Sequence, residues 1–265
     1  MYFFRDTLRR SFHYKYLTRV MIFNHEKLVV YSRSVALNAK VAGWLSLWDA
    51  RHAVCGQFHR AAQSISENIA VSSASQARMK SRYLDYALGS TLECAACLDL
   101  ASIKDLLDQG VVRQEKGELA QIFRMLFGLH RAWSPERLLV KEPDMDYKYG
   151  ESPLFAHEQL DIYQAALDTA RLMASSEAID ALPPTHFRPL DELVTSVLLN
   201  IAEGNGRFSK AEQRRFLGTT HVCAIKLAAK LDLTHACGSL IADDIAGIKH
   251  CLQRVTAMCI ALIRE

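Results

Sequence analysis

Apolar residues recur at three- and four-residue steps along most of this chain. Leu160, Tyr163, Leu167 and Ala170 form one such series, and Val194, Val197 and Ile201 form a second. Ile241, Ile245, Ile248, Leu252, Val255 and Cys259 form a third. This spacing gathers the side chains on one stripe of an α-helix, and no strand-like alternation competes with it. The pattern predicts helices over 24–49, 57–73, 76–101 and 114–132, then over 155–175, 191–203, 209–233 and 238–264. Ser209 followed by Glu212 reads as a capping box, with the serine accepting from an early backbone N–H and the glutamate reaching back. Between the fourth and fifth helices, "SPERLLVKEPDMDYKYGESP" holds three of the six prolines and dense charge, which reads as a linker over 134–153.

The two sets of four helices also match each other. Phe23, His25, Glu26, Leu28 and Tyr31 recur as Phe155, His157, Glu158, Leu160 and Tyr163, an offset of 132. The same offset carries "ENIA" at 67–70 onto "LNIA" at 199–202, and an offset of 133 aligns "RYLDYALGSTLECAACLDL" from Arg82 with "RFLGTTHVCAIKLAAKLDL" from Arg215. A register held over three segments predicts two copies of one folding unit, 23–133 and 154–265. Each copy needs to bury four amphipathic stripes. The expected fold is therefore all-α, with two tandem antiparallel four-helix bundles of up-down-up-down connectivity joined by the linker.

Composition adds little to this fold and something to its partners. Lys and Arg outnumber Asp and Glu 19 to 12 over residues 1–140 and are outnumbered 13 to 17 over 141–265, so the halves carry about +7 and −4. Such asymmetry suits an anionic partner for the first half, or the two halves for each other. Residues 1–22 mix cations with aromatics, which reads either as a nucleic-acid-binding arm or as a loosely attached extension. Seven scattered cysteines form no secreted disulfide framework, which favours a cytoplasmic location. No apolar run reaches the length of a membrane span, so no membrane partner is expected.

Several motifs resemble the bacterial four helix bundle protein family. That family includes the protein encoded in intervening sequences of 23S rRNA genes and the accessory variability determinant of diversity-generating retroelements. Its first helix resembles "HEKLVVYS" from His25 and "HEQLDIYQ" from His157. The end of its second helix resembles Asn200 through Arg207, "NIAEGNGR", with Asn68 standing at the equivalent place in the first unit. Its third helix resembles Ala87, Leu88, Gly89, Ser90 and Glu93. The first unit keeps the third-helix motif but has Val71–Ser75 at the corner. The second keeps the corner but has Val222, Cys223 and Lys226 in place of Gly, Ser and Glu. The resemblance implies a basic, oligomeric protein associated with RNA and a reverse transcriptase.

The residues themselves offer no catalytic constellation, so no enzyme activity, cofactor or metal is expected. Cys94 and Cys97 have redox spacing but lie in a helical apolar stretch, where core packing is the better reading. His25–Glu26 and His157–Glu158 are expected to open helices, with Glu at the positive end of the dipole. Gly204 and Gly206 are expected to permit a turn with positive φ, with Asn200 and Glu203 bonding backbone groups of the corner and Ser209 with Glu212 starting the next helix. The remaining candidates are cations. Arg78, Lys80 and Arg82 open the third helix of the first unit, and Arg207, Lys210, Arg214 and Arg215 surround the matching start in the second. Together they predict one basic surface for RNA or a ribonucleoprotein, against the competing reading of an ordinary solvated helix face. A homo-oligomeric scaffold formed through apolar helix faces is the alternative function.

Overall fold

The computed structural model describes residues 23–133 and 154–264, without the side chains of Ala77 and Arg78; the N-terminal extension, the linker and Glu265 lie outside the described residues. The apolar stripes fold into helices α1 (Val29–Leu45), α2 (Ala53–Ala74), α3 (Ala77–Ile103) and α4 (Gln109–Trp133). After the linker come α5 (Asp161–Ala174), the single turn α6 (Glu177–Asp180), α7 (Pro184–Asn205), α8 (Lys210–Ala236) and α9 (Ala242–Arg264). Helix α1 packs on α2, α2 on α3, α3 on α4 and α4 back on α1, closing one four-helix bundle. The same cycle closes through α5, α7, α8 and α9. The fold is all-α, and the described residues contain no strand. No described helix is long and apolar enough to cross a membrane.

Four local expectations are corrected. His25–Glu26 and His157–Glu158 do not open α-helices. They form separate 3-10 turns, Asn24–Lys27 and Ala156–Gln159, each ended by an extended leucine. There the glutamates serve the turn itself: Glu26 accepts from the Phe23 N–H at 3.0 Å, and Glu158 from the Leu154 and Phe155 N–H groups at 2.7 and 3.3 Å. Each histidine then stacks on a phenylalanine, Phe23 or Phe155, and meets a tyrosine, Tyr31 or Tyr163, edge to face. Helix α7 starts at Pro184 rather than near Asp191, because proline at the first helical position lacks only an N–H that would have no partner there. Ile241 precedes α9 and is exposed. Ser209 does stand before α8 but makes no side-chain cap bond; the Gln213 side chain closes the corner by donating to the Arg207 carbonyl at 2.6 Å.

The two bundles share one core, because α3 packs on α7 and α5 as well as on its own neighbours. From Leu84 through Ala101, only Tyr86, Glu93 and Asp99 keep even partial exposure. Small residues at Ala87, Gly89, Ser90, Cys94, Ala95, Ala96 and Cys97 let the surrounding helices approach this central helix closely. Cys94 and Cys97 are fully buried, and burial pushes both thiols well up.

The corner glycines act through space rather than through φ. Gly206 has φ −82°, and the one positive-φ glycine among the described residues is Gly238 at the end of α8. A Cβ on Gly204 would lie 2.8 Å from Phe216 Cβ, and one on Gly206 would lie 2.4 Å from Leu92 Cδ1. Gly117, by contrast, sits in mid-α4 with nothing within 4 Å of an added Cβ. Gly117→Ala should therefore stabilise the protein by about 0.5–1 kcal/mol through helix propensity. Gly204→Ala should destabilise it by roughly 1–3 kcal/mol, because the contact is with a neighbouring helix's Cβ, which cannot rotate away. Urea unfolding of the two variants checks the sign reversal, and equal stabilisation would remove the close-approach account.

Candidate nucleic-acid interface at the joint of the two bundles

Three polar contacts hold the bundles together along and beside α3. At one end, Asp191, two turns into α7, pairs with Lys104 just past α3, and its other carboxylate oxygen accepts from the Ala53 N–H at 2.7 Å. The second unit thus caps the N-terminus of a first-unit helix. At the side, buried Lys116 donates to Asp99 at 2.5 Å and to Glu158 at 2.6 Å, while the Tyr163 hydroxyl donates to Asp99 at 2.8 Å. Asp99, His157 and Glu158 come within 4.8 Å of one another, a spacing a metal could use. The Lys116 ammonium already supplies the positive charge that both carboxylates need. Burial and the Lys116 charge hold the fully buried His157 neutral, with its pKa lowered to about 3.

The third contact is the corner after α7. Arg207 turns inward and is almost fully buried, pairing with Glu203 and donating to the Asp85 carbonyl at 3.2 Å. Its guanidinium lies 2.9 Å from where a Cβ on Gly89 would be, and Glu203 Cγ lies 3.2 Å from that same point. Phe208 follows into the first unit, against Phe127 and His130. The corner kept by the second unit therefore seats on the third-helix motif kept by the first. Each is the half the other lacks.

Stacking extends this contact to the surface. Arg82 lies over the Tyr86 ring at 5.5 Å, and Arg207 lies over the same ring at 5.4 Å. Arg207 also lies over Phe216 at 5.1 Å, as does Arg215. The series Arg82, Tyr86, Arg207, Phe216, Arg215 alternates cation and ring and joins the starts of α3 and α8. Its two end arginines are exposed. Lys80 sits over the Trp133 ring at 4.8 Å, and exposed Lys210 and Arg214 border a cavity of about 210 Å³ with Leu160, Ile162, Ile201, Leu217 and Leu262 in its walls. The Arg78 side chain lies outside the described residues.

The remaining motif residues are structural. Asn68 and Asn200 each donate to the carbonyl four residues back, at Ser64 and Ser196, both at 2.7 Å. Ser90 hydrogen-bonds Ser64 across α2 and α3 at 2.7 Å. Glu203 binds the Arg207 side chain rather than backbone groups. Glu212 lies in the first turn of α8, near Arg82. One cluster escaped the sequence pattern: Ser81, Asp85 and His130. The His130 Nε2 is 2.9 Å from Ser81 Oγ and 2.8 Å from Asp85 Oδ1. One nitrogen serves both neighbours, so this is not the relay in which the two ring nitrogens face nucleophile and orienting acid separately.

Residues 26–128 match the family model described as 23S rRNA-intervening sequence protein. Over this span, which covers most of the first bundle, the chain is similar to that family. No curated protein and no solved structure gives a match. The matched span holds Gly89, Ser90 and Glu93 but stops short of the corner that fills the space over them.

Glu93 gives this joint a pH dependence. Burial and the nearby Glu203 raise its carboxyl to about 7, against the opposing pull of Arg60 and Arg207. The unfolded chain would release that proton near 4.5. Its contribution to stability is therefore fully present below pH 4.5 and is lost as pH rises to 7, a change on the order of 3 kcal/mol. His157 slopes the opposite way, so the informative quantity is a difference. Glu93→Gln should gain stability relative to the wild type between pH 4.5 and 8, measured by urea midpoints at each pH. A constant gap between the two proteins would contradict the buried-carboxyl account.

Proposed function

We propose that this protein is a non-enzymatic helical-bundle adaptor, built as a duplicated unit, that binds structured RNA through the adjoining starts of α3 and α8. The observation that carries this reading is the stacked series from Arg82 to Arg215, which brings two cation clusters 133 residues apart in sequence to one joint. Arg207 is consumed in holding that joint. The phosphate-facing set is Lys80, Arg82, Lys210, Arg214 and Arg215, with Arg78 at the same helix start. Cations pair phosphates without reading sequence, while the apolar-walled cavity beside Lys210 and Arg214 has the chemistry to take an unstacked base. The family's name refers to an RNA gene, which is consistent with this assignment. A ribonucleoprotein, such as a reverse transcriptase carrying its RNA, would present the same phosphate chemistry.

Affinity for a structured RNA, measured by fluorescence anisotropy, should fall steeply as salt rises. Arg82→Ala, Lys210→Ala and Arg215→Ala should each weaken binding across RNA sequences and lower the log–log salt slope by about 1. No binding, or an affinity indifferent to salt, would overturn the proposal.

A further inference from the structure

Helices α5, α7, α8 and α9 converge at one end of the second bundle around the cavity of about 210 Å³ beside Lys210 and Arg214. Leu160, Ile162, Ile201, Leu217 and Leu262 wall it with aliphatic side chains. Asn205, Lys210, Gln213 and Arg214 bring polar groups to it. The side chains of Asn205, Lys210 and Arg214 make no hydrogen bond, ion pair or ring contact with any described residue. Gln213 gives its amide nitrogen to the Arg207 carbonyl at 2.6 Å, and its Oε1 accepts from no described residue.

The first unit treats the matching positions differently. Gly204 and Asn205 align at an offset of 132 with Ser72 and Ser73, and Gln213 and Arg214 at an offset of 133 with Lys80 and Ser81. All four have partners inside the chain. Ser72 and Ser73 donate to the carbonyls of Ile69 and Ala70, both at 2.8 Å, Ser81 hydrogen-bonds His130 at 2.9 Å, and Lys80 lies over Trp133. The walls close as well: Leu84 is fully buried where its counterpart Leu217 is partly exposed, and Leu129 is half-buried where its counterpart Leu262 is 37% exposed. Aliphatic walls ringed by polar groups without partners have the composition of a ligand site. Among the described residues, the second unit carries that composition and the first satisfies the same place from within.

The groups present define what fits. The walls suit a flat apolar ring, Lys210 and Arg214 suit a phosphate, and the two amides suit the edge of a base. Asn205 offers one acceptor and a donor, and Gln213 offers a second acceptor. A base edge with an exocyclic amine supplies at least two N–H groups and an acceptor to answer them, whereas uracil supplies a single N–H between two carbonyls. An aliphatic anion would leave both amides without a partner, and inorganic phosphate would leave the walls in water.

We infer that this cavity is a nucleotide pocket, which takes a base bearing an exocyclic amine against its aliphatic walls and the attached phosphate on Lys210 and Arg214. A free nucleotide and an unpaired residue of a folded RNA present the same chemistry. The inference takes RNA as the source, and in that respect it rests on the RNA-binding reading above; the pocket itself does not.

Isothermal titration calorimetry of the full-length protein with adenosine monophosphate reads the pocket without RNA. This nucleotide should bind roughly tenfold more tightly than adenosine, inorganic phosphate or uridine monophosphate, each of which lacks one part of the match. Leu262→Trp fills the cavity from an exposed wall position and should abolish that binding. Asn205→Ala should weaken it roughly tenfold and erase the preference over uridine monophosphate. Both variants should keep the wild-type melting curve, because both positions are exposed. For the source, a hairpin RNA with one bulged adenosine should bind the wild type roughly tenfold more tightly than the fully paired hairpin. Leu262→Trp should bind the two hairpins alike, with the salt dependence unchanged. Adenosine monophosphate bound no better than phosphate or uridine monophosphate, or bound equally by Leu262→Trp, would overturn the pocket, even if both hairpins bind with a steep salt dependence. Adenosine monophosphate binding that Leu262→Trp abolishes, with neither hairpin bound, would uphold the pocket, remove the RNA-binding reading and leave a free nucleotide as the ligand.

Discussion

The architecture depends on helix α3 serving two bundles at once. A helix in one four-helix bundle buries a stripe and leaves its back to water. Here the back of α3 lies against α7 and α5, so nearly every position from Leu84 to Ala101 is small, apolar or paired. Small side chains bring backbones close, which increases dispersion contact but leaves no space for polar groups to reach water. The groups that remain polar along this helix, Asp85, Glu93 and Asp99, therefore sit beside cations or rings from other elements. Lys116 and Tyr163 on Asp99, and Lys104 on Asp191, are the consequences at the side and far end of the same joint.

Arg207 shows how such a joint tolerates a buried charge. Its guanidinium has an acid partner in Glu203, a backbone carbonyl and two aromatic faces, so desolvation is offset from several directions. Gly89 makes the space for it. The corner glycines have the same logic one step away: they bring Phe216 and Leu92 close enough for the corner to seat. Because the rings that hold Arg207 also hold Arg82 and Arg215, holding the bundles together and displaying cations are one arrangement.

The helices α3 and α8, aligned in sequence, differ in burial because α3 packs on helices of both bundles and α8 packs within its own. An apolar stripe left in water is costly at about 25 cal/mol per Å² of apolar surface.

Local order in the sequence determined a good deal. Three- and four-residue spacing set the principal helices, because a stripe of that period has one low-energy solution in water. The 132- and 133-residue offsets recur as matching 3-10 turns, with Glu26 and Glu158 bonding backbone in the same way. The fused joint was not legible there. Arg207 reads as one more surface cation among Lys210, Arg214 and Arg215, since nothing near it signals that Gly89, more than a hundred residues earlier, receives it. The glycines read as a backbone turn, yet their φ values are ordinary and their use is steric. Lys116 carries no motif, and its role appears only when α4 meets the turn at Glu158. Periodicity reports which face of a helix is apolar. Only tertiary packing decides which residue of another helix lies against that face, and so which charges end up paired and buried and which remain free to meet a partner.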